Sequence, residues 1–97
     1  MSANSLDLSA SIAAVESLRY TPAGLPALGL QLEHASELQE AGVTRQVKVS
    51  IKAVAFGTLA ERLAKQVIGS VWRFRGFLAS TQQRKAVVFH IQDFLQD

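Results

Sequence analysis

Apolar and polar residues alternate along much of this chain. Leu6, Leu8, Ala10 and Ile12 share one parity, with Asp7, Ser9 and Ser11 between them. A period of two sends successive side chains to opposite faces, so this stretch predicts a half-buried strand. Thr21-Pro22-Ala23-Gly24-Leu25-Pro26 then breaks the pattern. Pro22 presets its φ and Gly24 tolerates positive φ, which predicts a turn. Leu28, Leu30 and Leu32 resume the alternation as a second strand. Residues 35–42 are polar and acidic and read as a loop or a short helical turn. Val47, Val49, Ile51, Ala53 and Ala55 follow on one parity, with Gln46, Lys48, Ser50 and Lys52 on the other. This third strand has an apolar inner face and a basic outer one.

Gly57 ends that strand. Leu59, Leu63 and Val67 come at spacing four, which predicts one amphipathic helix of about two turns. Ile68-Gly69-Ser70 is a turn. Residues 71–79 form a fourth strand, with Trp72, Phe74 and Leu78 inward and Val71, Arg73, Arg75 and Phe77 outward. Gly76 in its middle predicts a bulge or sharp bend. Residues 80–85 are a polar hairpin loop ending in Arg84 and Lys85, and residues 86–91 are a fifth strand. That strand has Val87, Phe89 and Ile91 on one face and Val88 and His90 on the other. Apolar residues on both faces imply that both are covered.

Three strands, a short helix and two strands is the order of the OB-fold, an all-β, five-stranded Greek-key barrel with its helix between strands 3 and 4. The 97 residues are expected to form one such domain. At 48% apolar and 19% charged residues the composition is that of a folded domain rather than a disordered tail. Without cysteine there is no disulfide, thiolate metal site or cysteine nucleophile, and a reducing, cytoplasmic setting is expected. No signal peptide or membrane-spanning run is visible.

The net charge of +2 conceals an asymmetry. Residues 1–42 hold Asp7, Glu16, Glu33, Glu37 and Glu40 against Arg19, a balance of −4. Residues 43–97 hold nine Lys and Arg against Glu61, Asp93 and Asp97, a balance of +6. An OB-fold binds its ligand on the outer face of strands two and three and on the flanking loops. That location holds Lys48 and Lys52, with Arg19 in one loop and Arg84 and Lys85 in the other. Among the aromatic residues, Trp72, Phe74 and Phe89 have core parity, while Phe77 faces outward and Tyr20 lies beside the first turn. His34 and His90 are isolated and read as structural. No nucleophile setting, acid–base pair, metal motif or phosphate-cradling loop is present, so an enzyme is not expected and no cofactor is implied.

The sequence resembles the primosomal replication protein N, or PriB, family of single-stranded-DNA-binding proteins. The resemblance rests on the turn at Thr21 through Pro26 leading to Leu32-Glu33-His34, on Glu40-Ala41-Gly42 with Arg45-Gln46, on Ile68-Gly69-Ser70 and Gly76-Phe77-Leu78, and on Phe89-His90-Ile91-Gln92-Asp93. It implies a homodimeric OB-fold that binds single-stranded DNA and works with the helicase PriA and the accessory protein DnaT at replication restart. It adds Arg45 to the candidate DNA contacts. It also marks a departure, because two family positions that are aromatic are Val43 and Lys48 here. Stacking on an aromatic contributes about 1–3 kcal/mol per base, so binding is expected to be weak and salt-dependent. The rival reading is a dimeric protein-interaction adaptor with little DNA affinity of its own. Arg73 and Arg75 suit either DNA or a dimer contact.

Overall fold

The computed structural model describes residues 2–81 and 86–97. The chain runs β1 (Leu6–Val15), β2 (Arg19–Tyr20), β3 (Pro26–Glu40), β4 (Val43–Phe56), α1 (Thr58–Ala64), β5 (Val71–Ser80) and β6 (Val87–Leu95). The strands lie in the order β1-β5-β6-β4-β3-β2, and a further pairing of β1 with β3 closes the sheet into a barrel. With the two-residue β2 set aside, this is the expected five-stranded OB-fold with its helix in the expected place. The core holds Ile12, Leu28, Leu32, Leu63, Phe74 and Phe89, all fully buried. Each such side chain contributes about 1.5–3 kcal/mol by leaving water.

Closure is partial. Residues 11–15 of β1 pair with residues 30–33 of β3, whereas residues 6–10 pair only with β5. Beyond that seam β3 and β4 continue as a two-stranded arm, with register running to Glu40 opposite Val43. The arm extends about 20 Å from His34 to its tip. His34 ties its base to β1, with Nδ1 2.6 Å from the Ser9 carbonyl and Nε2 2.8 Å from the Ser36 hydroxyl.

The arm overturns one expectation. Residues 35–42 are not a loop or helical turn but strand to Glu40, followed by a two-residue hairpin turn. Ala41 and Gly42 both take positive φ, 52° and 77°, as the tight turns matched to strand twist require. Polar cross-strand pairs hold the arm in place of a core. Gln46 donates to Glu37 at 2.8 Å, Gln39 donates to Thr44 at 2.6 Å, and Arg45 pairs with Glu40. Such pairs stabilise a sheet without burial.

The helix has the expected length of about two turns but ends before Val67. Ala60 and Leu63 are fully buried, but Val67 lies past the helix end and is 73% exposed. The chain leaves the helix axis there to meet β1, where Gly69 donates to Ile12 at 2.7 Å and Ile12 donates to Ser70 at 3.0 Å. Trp72 packs edge-on to Phe94 at 5.0 Å.

Gly76 marks the expected irregularity. The β5–β6 register shifts between Arg75 and Gly76, so Arg75 faces Asp93 while Gly76 faces Ile91. A Cβ at Gly76 would lie 1.8 Å from the His90 carbonyl oxygen, so only glycine permits this approach. Leu78 keeps its expected face, opposite the fully buried Phe89, but stays 38% exposed. Val88, Phe89 and Ile91 of the last strand are buried within the chain itself, so a partner is not needed to cover them.

Candidate nucleic-acid interface

The outer face of β4 carries Lys48, Ser50, Lys52, Val54 and Phe56. The parity is fixed by Ala53 and Ala55, which point into the core. On β3, Ala35 faces Lys48, Glu33 faces Ser50, and Gln31 faces Lys52. Gln31 donates to Ser50 at 2.7 Å, which leaves both lysine side chains outside that contact. Both are exposed, and among the described residues neither forms an ion pair. Glu33 lies between them on the neighbouring strand and moderates the positive field.

Arg19 sits in β2 opposite Ala27, which in turn faces Phe56. Directly paired residues share a sheet face, so Arg19 and Phe56 belong to one row across the strands. The same face continues into β6 and β5, where His90 lies opposite Val54 of β4, two residues from Phe56. Phe77 faces His90 in register, and their rings stack with centroids 4.8 Å apart and planes 15° apart. On the other side of His90, Phe56 lies 6.1 Å away at 30°. Three strands therefore contribute one near-parallel stack of rings on the barrel's outer wall.

The sequence candidates separate accordingly. Lys48, Lys52, Arg19 and Phe77 share the outer wall. Arg45 lies on the opposite face of the arm, on the parity of Val47 and Val49, and its charge is engaged by Glu40. Arg84 and Lys85 fall outside the described residues. Phe56 and His90 are additions. Phe56 has the parity of Lys48 and Lys52, so extending the alternation by one residue past Ala55 would have found it. His90, read as structural, is the middle ring.

Arg73 and Arg75 face outward on β5, but they serve an ion-pair cluster. Arg73 grips Asp7 with two hydrogen bonds of 2.7 Å, and Arg75 stands 3.7 Å from the same carboxylate. The Arg73 hydrogen bonds hold the Asp7 carboxyl below its ordinary pKa, and Asp7 in turn raises that of Arg73. Elsewhere, a groove of about 720 Å³ lies along the open seam, lined by Ala10, His34, Ala35, Val49 and Val71 among others. Among the described residues no group of His, Asp and Glu is arranged to hold a metal ion.

A basic, ring-bearing outer wall on an OB barrel is the layout of a single-strand-binding domain. Residues 4–93 match the family model described as "Another single-strand binding protein family". The chain is 46% identical over 90 residues to the replication restart protein PriB of Bordetella pertussis, covering 92% of this chain and 84% of that one. It is 34% identical over 91 residues to the PriB of Nitrosomonas europaea, covering 93% and 84%. The solved structure of PriB from Ralstonia solanacearum superposes with a TM-score of 0.89 at 38% identity, covering 98% of each chain. A single-stranded DNA binding protein from Thermus aquaticus shares the fold at a TM-score of 0.76 and 24% identity, covering 95% of this chain and 49% of that one. The chain belongs to the PriB family of replication restart proteins.

Proposed function

We propose that this protein binds single-stranded DNA along the outer wall of β3 and β4 and serves as an accessory factor in replication restart. The carrying observation is the pair Lys48 and Lys52, exposed and unpaired among the described residues, on one face of a chain of this family. Exposed amines track a phosphate backbone by neutralising it and releasing its counterions. Arg19 extends this cationic line beyond Phe56. Arg84 and Lys85 belong to the proposal through their position in the sequence between β5 and β6, and Arg45 through the family resemblance. Phe77 joins them as a ring on the same wall.

The test is a titration of a labelled oligonucleotide at two salt concentrations, with wild type and Lys52→Glu. Each phosphate contact adds about 0.7 to the slope of log K against log salt for a single strand. The variant is expected to bind more weakly and to lose about that much slope. An unchanged affinity and slope would remove Lys52 from the site.

The further elements follow from the family resemblance. The protein acts in the cytoplasm as a homodimer, with the helicase PriA and with DnaT as partners, and performs no catalysis of its own. The seam groove, where Val71 (56% exposed) and Val49 (41% exposed) lie among polar residues, supports a dimer contact. Sedimentation at micromolar concentration tests that point, and a monomer would refute it. The adaptor reading is favoured by one observation, the absence of any Phe, Trp or Tyr between Thr21 and Ala55, which leaves the arm without rings. Stimulation of the helicase by a protein with no measurable DNA binding would establish it.

A further inference from the structure

We propose that Phe56, His90 and Phe77 form a stacking site for an unpaired nucleobase, which moves base contact in this chain from the arm to the barrel wall. The inference rests on the single-strand-binding reading above and deepens it.

Both the arm and the wall lie in the path of a strand crossing β3 and β4. The arm offers no flat π face, since every residue from Thr21 to Ala55 lacks an aromatic ring other than the imidazole of His34. That imidazole is engaged by Ser9 and Ser36. The wall offers three rings in series. Their near-parallel arrangement differs from the edge-on contact of Trp72 with Phe94, at 79°. Phe74 and Phe89 are fully buried, whereas Phe56 is 40% exposed. The stack therefore meets solvent at its Phe56 end, where a base can continue it.

Charge identifies the occupant. Arg19 lies two strands from Phe56 in the same row, about 10 Å away. Lys52 lies on the same face of β4, four residues back, about 13 Å away. Neither cation forms an ion pair among the described residues. Phe56 thus has one cationic position across the strands from it and another along its own strand. A nucleotide strand meets both needs, with phosphates on the cations and a base on the ring, because every base has a π face. His90 acts as a positioning residue that spaces the two phenyl rings.

The test compares two labelled oligonucleotides of equal length, oligo-dT and a fully abasic strand, by fluorescence anisotropy on the full chain. Wild type is expected to bind oligo-dT about 5- to 150-fold more tightly, the range of one stacked base. Phe56→Leu keeps the apolar bulk without the flat ring and should abolish most of that ratio, with abasic binding unchanged. His90→Ala should reduce the ratio and His90→Phe should restore it. Equal wild-type affinity for the two strands, or a ratio untouched by Phe56→Leu, overturns the stacking site and leaves the phosphate-binding reading standing. Failure of wild type to bind either strand overturns both. Should Phe56→Leu fail to fold, Phe56→Trp must preserve the ratio, and a collapse there counts against the proposal.

Discussion

Replacing Gly76 with alanine tests how the barrel wall is held together. The added Cβ would lie 1.8 Å from the His90 carbonyl oxygen and 2.9 Å from both the His90 carbonyl carbon and Phe89 Cε1. Ordinary carbon–oxygen contacts are about 3.3–3.6 Å, so β5 and β6 must separate locally by about 1.5 Å. The obstacle is backbone, and no rotamer change relieves it. Overpacking of this kind costs about 1–3 kcal/mol. A ladder hydrogen bond stretched by that distance adds about 0.5–1.5 kcal/mol. The expected total is about 2–4 kcal/mol, read by urea denaturation as a midpoint lowered by at least about 1 M. Gly69→Ala is the control, because its Cβ meets nothing within 4 Å and only the positive φ of 93° is strained. That strain costs about 1–2 kcal/mol. The same displacement moves His90 away from Phe77, so the ring-current shift of the His90 protons should shrink in Gly76→Ala and stay constant in Gly69→Ala. A Gly76→Ala loss below about 1 kcal/mol with unchanged His90 shifts would refute the argument that glycine is required by the β5–β6 approach.

Two further predictions concern stability. Leu32→Ala empties a fully buried position and is expected to cost about 2–5 kcal/mol in urea denaturation. The Asp7 carboxyl titrates below its ordinary value because Arg73 hydrogen-bonds to its charged form. The stabilisation is therefore complete at neutral pH and fades as acid protonates the carboxylate below about pH 4. Asp7→Asn should be less stable than wild type at pH 7, with the difference narrowing at low pH. Thermal melts across that range check the sign, and a widening gap would contradict it.

Much of this architecture is legible in the pattern of residues, because a half-buried strand must alternate. The inward set Leu28, Leu30 and Leu32 and the outward set Lys48, Ser50 and Lys52 follow directly from period two. The arm was illegible for the opposite reason. Beyond the seam neither face is covered by the barrel, so Glu37, Gln39 and Glu40 show no apolar alternation. Their order comes from polar cross-strand pairs and from the Ala41-Gly42 turn, which only pairing with β4 reveals. Leu78 has the inward parity that alternation gives it, opposite Phe89, but alternation does not tell how far along β5 the core covers a side chain, and Leu78 stays partly exposed. The ring stack escaped because its members are distant along the chain. Phe56, Phe77 and His90 become neighbours only when β6 enters between β4 and β5, in parallel register with β4 at Val54 and His90.

The arm's independence from the core also affects how the protein tolerates change. Hydrogen bonds beyond the seam have no buried apolar cover, so amide exchange there should proceed by local fraying, well ahead of global unfolding. A substitution at Val43, Lys48 or a neighbouring arm residue alters the surface offered to a ligand with almost no penalty to the barrel. A substitution at His90 or Phe77 disturbs strands that close it. The fold thus separates a region where affinity drifts freely under selection from one where each change must first survive a folding test.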